Sequence, residues 1–384
     1  MKADVALLVL LAAARALKPY IGAPGRRAGH LYLHTHDGTL TLTADGRHGC
    51  AQVDLPGGMV DGRCAIAADA VLAALTTLKP AGKAAKTATV TLSTEPDRLH
   101  LAAADGPAIV LDADTPTDAW PDLPVCITPS RAATVVTTGP VADWCDLVSK
   151  VGWAAGTDPT RPELRAVRLL RDFAGTVLIV EAGDRYRVHR GCWGQPEGRP
   201  VDAQLPLDAA KRAVTLFTAC DPDATVDIEA DPAHLWWRTG RVRIQARTDP
   251  TPHLNLEQLR EDVCRSADLR FTAERVPLLA ALEVAAALAA TTGHGQVDVA
   301  FAGAAGTAVD VSVHADSGAL LHRATVPVTA EAGPAHTLRF TPRLVRQAVA
   351  FLDGDTVQIA ASVDRLGVYL ESGARHAIVL RVAA

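Results

Sequence analysis

The 384-residue sequence is poor in aromatic side chains, which make up only 4% of it, so alanine, valine and leucine must fill its cores. It also lacks an excess of basic charge: 38 basic residues stand against 43 acidic ones, and the formal net charge is -5. That balance excludes a uniformly basic protein but is compatible with a local basic face. With 48% apolar and 21% charged residues, the composition is that of a folded globular protein, and the length indicates two or three domains.

Cysteine patterns that would indicate a disulfide scaffold or a zinc finger are missing as well. The seven cysteines form no CxxC pair, and no histidine stands at zinc-finger spacing beside them. We therefore expect free, mostly buried thiols in a reducing cytoplasm. The apolar run at residues 5–14 is too short to span a bilayer and is followed by Arg15, so we interpret it as a core helix and not as a signal peptide.

What the sequence does have is an internal repeat. Six segments start near residues 1, 66, 136, 205, 271 and 340, and each contains an amphipathic stretch rich in alanine, leucine and valine. Acidic residues or proline in the first turn are typical of a helix N-terminus. Short stretches with alternating polarity follow, separated by turn pairs such as Asp37-Gly38 and Asp105-Gly106, which is the pattern of antiparallel strands. The repeat therefore predicts one helix plus three or four strands, six times over.

One such unit cannot bury both its helix face and its sheet face, whereas two units side by side can. The repeat thus predicts an α+β fold with three domains of two units each, in which the helices lie on one side of the sheets. Stretches rich in proline and acidic residues, at 112–124 and 248–252, are the natural linkers. The predicted domains are residues 1–123, 124–250 and 251–384.

Three segments of this framework resemble motifs of a known family. Residues 157–167 (TDPTRPELRAV) are similar to ST-x-TRP-x-L-x-GV, residues 181–188 (EAGDRYRV) to ATD-x-(H/F)-RLA, and residues 340–344 (FTPRL) to FN-x-x-YL. These are motifs of the bacterial sliding clamps, the beta subunits of DNA polymerase III, whose three-domain organisation the whole chain resembles. The resemblance implies a processivity factor without enzyme activity. It implies a head-to-tail homodimer that closes a ring around duplex DNA, with helices inside and sheets outside.

The resemblance also implies two sets of functional residues. Basic residues on the helices would surround the phosphate backbone without reading bases, although any one of them is equally well explained as part of a solvated helix face. This DNA-facing set comprises Arg15, Lys18, Lys79, Lys150, Lys211, Arg212, Arg275, Arg343 and Arg346. A second set would accept short linear peptides from the replicative polymerase and the clamp loader. This peptide-pocket set comprises Leu164, Gly183, Arg185, Tyr186, Arg187, Val188, Leu344, Ile378, Leu380 and Val382.

The sequence departs from the family pattern at several places. The strand that precedes the first helix in the family is nearly absent here, because the first helix is predicted to begin around Asp4. The second motif has Gly183, Val188 and His189 where the family has Thr, Leu and Ala, and residues 252–256 lack the expected basic residue. An accessory clamp-fold protein, which binds a peptide or small inhibitor without a main replicative role, therefore remains an alternative.

Two further clusters suggest other chemistry. His34 and His36 have the HxH spacing of metal-dependent hydrolases, but they precede a glycine turn inside a predicted hairpin, which favours solvent-facing strand residues. Trp236 and Trp237 are neighbours on a predicted strand, so we expect one in the core and the other at the surface. No nucleophile elbow, phosphate loop or paired-carboxylate motif stands out. The sequence predicts no enzyme activity, no cofactor, no metal and no membrane association.

Overall fold

The computed structural model describes residues 1–21, 29–46, 49–104, 106–113, 128–130, 133–171, 177–194, 198–249, 256–292, 297–301, 307–314, 319–332, 336–362 and 367–380. Helices alternate with groups of antiparallel strands throughout these ranges. The α-helices are α1 (Leu7–Leu17), α2 (Ala68–Leu78), α3 (Val141–Val151), α4 (Leu207–Cys220), α5 (Leu256–Arg265), α6 (Arg275–Thr292) and α7 (Pro342–Phe351). Among these described helices, none has the length and apolar character needed to cross a membrane.

The strands are short, and most have five to eight residues. Those of the first half are β1 (Lys2–Ala6), β2 (His30–His36), β3 (Thr39–Gly46), β4 (Gly49–Pro56), β5 (Gly58–Val60), β6 (Gly62–Ala67), β7 (Thr89–Glu95), β8 (Arg98–Ala103), β9 (Ala108–Asp112), β10 (Thr134–Pro140), β11 (Ala166–Arg171), β12 (Leu178–Gly183) and β13 (Arg187–Trp193). Those of the second half are β14 (Val201–Pro206), β15 (Thr225–Ala230), β16 (His234–Arg238), β17 (Val242–Arg247), β18 (Leu269–Glu274), β19 (Val297–Phe301), β20 (Ala308–His314), β21 (Leu320–Ala332), β22 (His336–Phe340), β23 (Thr356–Ala361), β24 (Gly367–Ser372) and β25 (Arg375–Leu380).

The chain forms two compact units. Unit 1 comprises Met1–Val148, Arg171–Leu178 and Trp193–Pro250, and unit 2 comprises Ser149–Leu170, Ile179–Cys192 and Thr251–Ala384. Unit 1 contains a sheet in the order β5-β1-β7-β8-β9 and a larger one in the order β10-β15-β16-β17-β4-β3-β2-β6. Helix α1 packs on α2 and on α4 in this unit.

One sheet dominates unit 2. Within this unit, its strands run in the order β11-β12-β13-β25-β24-β23-β18-β21-β20-β19-β22. Helices α6 and α7 pack against each other, and α7 also packs on β25. Helix α5 lies instead against β23 and β24. The 18 residues of α6 include only two charged side chains, Arg275 and Glu283, so most of this helix is available for apolar packing.

The helix-plus-strand repeat predicted from the sequence is confirmed. Helices α1, α2, α3, α4, α6 and α7 are each followed along the chain by three strands that pair in antiparallel fashion. Helix α5 is an addition that the repeat did not predict. The division into three domains stays a prediction. The two compact units do not test it, because each contains a sheet that joins strands of different repeats. The linkers proposed at 112–124 and 248–252 lie largely outside the described residues.

The prediction that the opening strand is nearly absent was wrong. Residues Lys2–Ala6 form β1, which pairs with β7 along its whole length and with β5 at its first residues. The alternating exposure of β1, with Ala3 and Val5 buried, is the strand pattern that the following apolar run obscured. Helix α1 therefore begins at Leu7 and not near Asp4.

Tryptophan supplies the largest side chains in the core of unit 1. The Trp144 ring of α3 lies 5.1 Å from the Trp193 ring and 6.4 Å from the Trp237 ring, centroid to centroid. The prediction that one of Trp236 and Trp237 lies at the surface was wrong, because both are buried. Trp237 contacts the α3 tryptophan, while Trp236 lies beside the His234 ring. Both faces of this part of the sheet are therefore covered.

We expect Trp144→Ala to lower the free energy of unfolding by about 3–5 kcal/mol, because it empties the space between two other tryptophan rings. Trp153→Ala is the matched control, since that side chain is 38% exposed and should lose less than about 1 kcal/mol. Urea denaturation followed by circular dichroism measures both. Equal losses in the two variants would contradict this assignment of the core.

Candidate functional site

The second motif lies beside the C-terminal strand in unit 2. Strands β13 and β25 are antiparallel neighbours, with Arg187 opposite Val379 and Val188 opposite Ile378. The backbone N–H of Leu380 donates to the carbonyl oxygen of Tyr186 at 2.7 Å. Two segments of the predicted peptide-pocket set, almost 200 residues apart in the sequence, are thus joined by main-chain hydrogen bonds.

An aspartate shapes the turn before β13. The Oδ1 atom of Asp184 accepts hydrogen bonds from the backbone N–H groups of Tyr186, at 2.7 Å, and Arg187, at 2.9 Å. This is the turn geometry that aspartate side chains favour. The Arg187 guanidinium returns to the same carboxylate, with Nε 3.3 Å from Oδ2. The turn holds the Tyr186 ring at the surface, where 59% of the residue is exposed.

The predicted pocket residues divide between two faces of the sheet. Val188 and Ile378 are only 4% and 3% exposed and belong to one apolar cluster, against which Leu380 packs. The guanidinium of Arg187 instead bonds to the Oε1 atom of Gln347 on α7. Burial lowers the pKa of this arginine despite the nearby carboxylate. Alternation along β13 explains the division, because successive side chains point to opposite faces.

The apolar cluster also contains residues that the sequence reasoning missed. Val263 of α5, Ala360 of β23 and Tyr369 of β24 are buried in it, and Leu259 of α5 is among the residues that pack against it. A signal was available: Leu256, Leu259 and Val263 recur at the spacing of one helix face. The sequence predicts no helix here, because residues 252–256 are interpreted as part of a linker.

The other described members of the peptide-pocket set also belong to unit 2. Leu164 ends a 3₁₀ turn at Pro162–Leu164 and is buried, and its carbonyl accepts from the N–H of Gly156 at 2.6 Å. Gly183 is the buried last residue of β12, and Arg185 is exposed in the following turn. Leu344 is half-buried in the first turn of α7. Val382 lies outside the described residues.

Charged side chains border the apolar cluster. Glu181 is buried, with Nη1 of Arg168 at 3.2 Å and Nε of Arg190 at 3.8 Å from its carboxylate oxygens. Burial raises the pKa of Glu181 in spite of these two cations. Arg190 also bonds to Glu257 of α5, which accepts from Nε of Arg260 at 2.9 Å. The hydrogen bond from Arg260 holds the pKa of Glu257 below its usual value.

His189 stands where the clamp family has alanine, and it is fully buried. Its Nδ1 atom lies 3.0 Å from the carbonyl oxygen of Lys150, at the end of α3. Its ring is stacked on that of Phe351 in α7, with 4.6 Å between centroids and 10° between planes. Burial lowers the pKa of His189 to about 4, so the ring is neutral near pH 7.

The DNA-facing set divides into cations at the surface and cations tied to other groups. Arg15, Lys79, Lys211 and Arg343 are exposed. Lys18 is exposed too, but its Nζ atom lies 2.7 Å from the Asp69 carboxylate. The face that these side chains present to DNA is not tested by the structure and stays a prediction.

The remaining cations of that set are half-buried. Arg212 donates to the carbonyls of Asp208 and Pro19, at 3.0 and 2.9 Å, and its guanidinium lies 6.0 Å from the Tyr20 ring centre. Nε of Arg275 donates to the Gly354 carbonyl at 2.7 Å. Arg346 lies 4.0 Å from the Glu283 carboxylate, and Lys150 is half-buried at the end of α3. The contacts of Arg212, Arg275 and Arg346 engage guanidinium groups that could otherwise bind a phosphate.

The two histidines considered as metal ligands lie on β2. The rings of His34 and His36 are parallel, with 5.9 Å between centroids, and His36 is within 3.3 Å of Asp37 and 3.2 Å of Asp61. Across the described part of the chain, no three histidine, cysteine or acidic side chains are grouped so that they could hold a metal ion. None of the described cysteines forms a disulfide bond, and three of them, Cys50, Cys64 and Cys145, are buried.

No protein-family model matches the sequence, and no curated protein matches it. The fold, however, is that of the bacterial sliding clamps. The beta subunit of DNA polymerase from Streptococcus pyogenes matches with a TM-score of 0.82 and 14% identity, covering 100% of both chains.

Two further solved structures are similar over their whole length. DNA polymerase III subunit beta from Pseudomonas aeruginosa has a TM-score of 0.80 and 13% identity over 100% of both chains. The beta subunit from Thermotoga maritima has a TM-score of 0.79 and 14% identity, covering 100% of this chain and 99% of that one. The resemblance inferred from three short motifs is thus confirmed at the level of the fold.

Because folded His189 binds a proton only near pH 4, whereas an unfolded histidine does so near pH 6.5, stability should fall as the pH drops between these values. We expect His189→Gln to remove about 2 kcal/mol of the stability difference between pH 7.5 and pH 5.0. Trp153→Ala, which trims a 38% exposed side chain that carries no titratable group, is the control and should leave the difference unchanged. Urea midpoints at the two pH values test this, and an unchanged difference in the His189 variant would contradict it.

Proposed function

We propose that this protein is a DNA sliding clamp, a processivity factor without enzyme activity that encircles duplex DNA in the cytoplasm as a homodimer. The observation that carries the proposal is the full-length likeness to bacterial clamp structures, with TM-scores of 0.79 to 0.82. It is supported by the six helix-plus-strand repeats, which two copies would bring to twelve in a ring. In that assembly the helices line the hole and the sheets form the outer surface.

The pairing of the sheets supports head-to-tail closure. In unit 1, β4 of the first repeat pairs with β17 of the fourth, and in unit 2, β13 of the third pairs with β25 of the sixth. Each junction joins the third strand of an odd-numbered repeat to the third strand of an even-numbered repeat. By the same rule, β21 of the fifth repeat and β9 of the second are the pair left over.

These two strands have the properties of an interface. Strand β9 ends the five-stranded sheet of unit 1 and exposes Val110, at 47%. Strand β21 begins with Leu320 and Leu321, which are 54% and 43% exposed. Among the described strands, residues 320–327 of β21 pair with β20 on one side only. An open edge with apolar side chains is a template for pairing with another chain, and we place β9 of one copy against β21 of the next.

The charges on the helices indicate that contact with DNA is loose. Helices α1 to α4, α6 and α7 together carry seven basic and five acidic side chains. Non-specific affinity for DNA rises with the number of phosphates that a protein neutralises. An excess of only two basic side chains on these helices therefore gives weak binding. Retention on DNA would then depend on closure of the ring more than on attraction.

Wild-type protein loaded onto nicked circular DNA by the source organism's clamp loader with ATP should be retained, and linearising the DNA should release it. Val110→Lys places a charge on the proposed β9–β21 junction and should halve the mass seen in light scattering and abolish retention. Val135→Lys changes an equally exposed valine on β10, which ends another sheet, and should do neither. A wild-type monomer at micromolar concentration would sink the proposal.

We further propose that the surface around the β13–β25 strand pair recruits polymerase and clamp-loader peptides. The proposal is supported by the apolar residues Val188, Ile378 and Leu380 on one face of this strand pair and by the exposed Tyr186 ring beside them. Apolar and aromatic anchors of this kind are what a short linear peptide needs for binding. An accessory clamp would have the same kind of peptide site. A complementation test, in which this protein has to replace the cell's main clamp, separates a replicative clamp from an accessory one.

The peptide proposal is tested with overlapping 15-residue peptides that cover the source organism's replicative polymerase and clamp loader. The strongest binder, labelled with fluorescein, is the probe peptide. Tyr186→Ala should weaken its binding at least tenfold, because an exposed aromatic anchor is lost without any cost to folding. Val276→Ala, which trims an exposed valine of α6, is the control. Unchanged binding in the Tyr186 variant, or no binder at all, would count against a peptide site here.

A further inference from the structure

The apolar residues of the proposed peptide site are covered by the chain itself. Val263 of α5 is buried in one cluster with Val188 and Ile378, and Leu259 of the same helix packs against that cluster. With so little of Val188 and Ile378 exposed, this face offers almost no apolar surface to a partner. The contact is close: a Cβ atom added to Gly367 would lie 3.3 Å from a methyl group of Val263.

Polar contacts hold α5 in this position at one end. Glu257, in its first turn, bonds to Arg190 on β13 and accepts from Arg260 one turn further along the helix. Arg190 in turn lies 3.8 Å from the buried Glu181. At the other end, the carbonyl of Cys264 accepts from Nη2 of Arg270 on β18 at 3.0 Å. The helix is therefore fastened to the sheet by an ion-pair cluster near its start and a hydrogen bond at its end.

We propose that α5 is a built-in competitor for the peptide site. It occupies the Val188–Ile378 surface in the free protein and has to be displaced before a partner peptide can bind. The inference rests on the proposed function of this face. Displacement is physically accessible, because the cover is a single ten-residue helix whose removal leaves the β13–β25 ladder intact. A site that is open only part of the time binds with an affinity reduced by that fraction.

The ion pair between α5 and β13 sets how often the site is open. Glu257→Ala removes the carboxylate that Arg190 and Arg260 share, so α5 should be released more often and the probe peptide should bind about tenfold more tightly. Glu261→Ala is the matched control. Its side chain lies on the same helix, is 44% exposed, and pairs along the helix with Arg265, at 3.4 Å. It should leave the peptide affinity unchanged.

A reversible crosslink tests the competition directly. Val263→Cys with Gly367→Cys places two thiols across the α5–β24 contact, and Cys264→Ser in the same protein removes the adjacent thiol. Oxidation should lock α5 down and weaken binding of the probe peptide at least tenfold, and dithiothreitol should restore it. Without the crosslink, saturating peptide should speed hydrogen exchange at the α5 amides.

The outcomes separate this inference from the function on which it rests. If the reduced protein binds the probe peptide and oxidation changes nothing, α5 is not a competitor and the peptide site stands. If α5 amides become more protected on binding, α5 is part of the site and the inference is wrong. If no peptide binds wild type, Glu257→Ala and reduced crosslink protein alike, the peptide site itself is refuted. Faster α5 exchange in Glu257→Ala without peptide shows that the helix has been loosened as intended.

Discussion

Main-chain pairing between strands of different repeats is the constraint on which the rest of this structure depends. A single helix with three strands leaves apolar surface on both layers, and antiparallel ladders such as β4–β17 and β13–β25 extend each sheet into the next repeat. The ladder at β13–β25 also creates the candidate site, because it sets Val188 directly beside Ile378. Folding and the proposed recruitment of partners therefore use the same hydrogen bonds.

Much of the fold could be predicted because its signals are local and repeated six times. Helix starts rich in Asp or Pro, alternating strands and glycine turns recur at a nearly constant interval, so errors at one copy are corrected by the others. The start of the first copy was predicted wrongly. The apolar run of α1 extends the helical pattern back into β1. Trp236 and Trp237 misled because alternation says which way a side chain points, but not whether that face of the sheet is covered.

The site could be predicted only in part, because the motifs identify strands and not what lies over them. The second motif predicted Val188 and the C-terminal strand predicted Ile378, and the two residues lie opposite each other on neighbouring strands. Helix α5 has no counterpart in the repeat, and recognising Leu259 and Val263 as its inner face requires knowing that the segment is helical. The role of His189 was equally hidden, since its partners, the Lys150 carbonyl and the Phe351 ring, are distant in sequence.

Strand β21 has a mechanical consequence. Its residues 320–327 pair with β20, and residues 328–332 then continue on the same backbone to pair with β18. Strand β21 therefore connects two parts of the unit 2 sheet through one continuous backbone. A force that pulls β20 away from β18 along the strand direction acts on these two short ladders in series. Because the hydrogen bonds of each ladder are perpendicular to the strands, several of them have to break together and not one after another. A ring under tension would be reinforced at the point where its proposed junction begins.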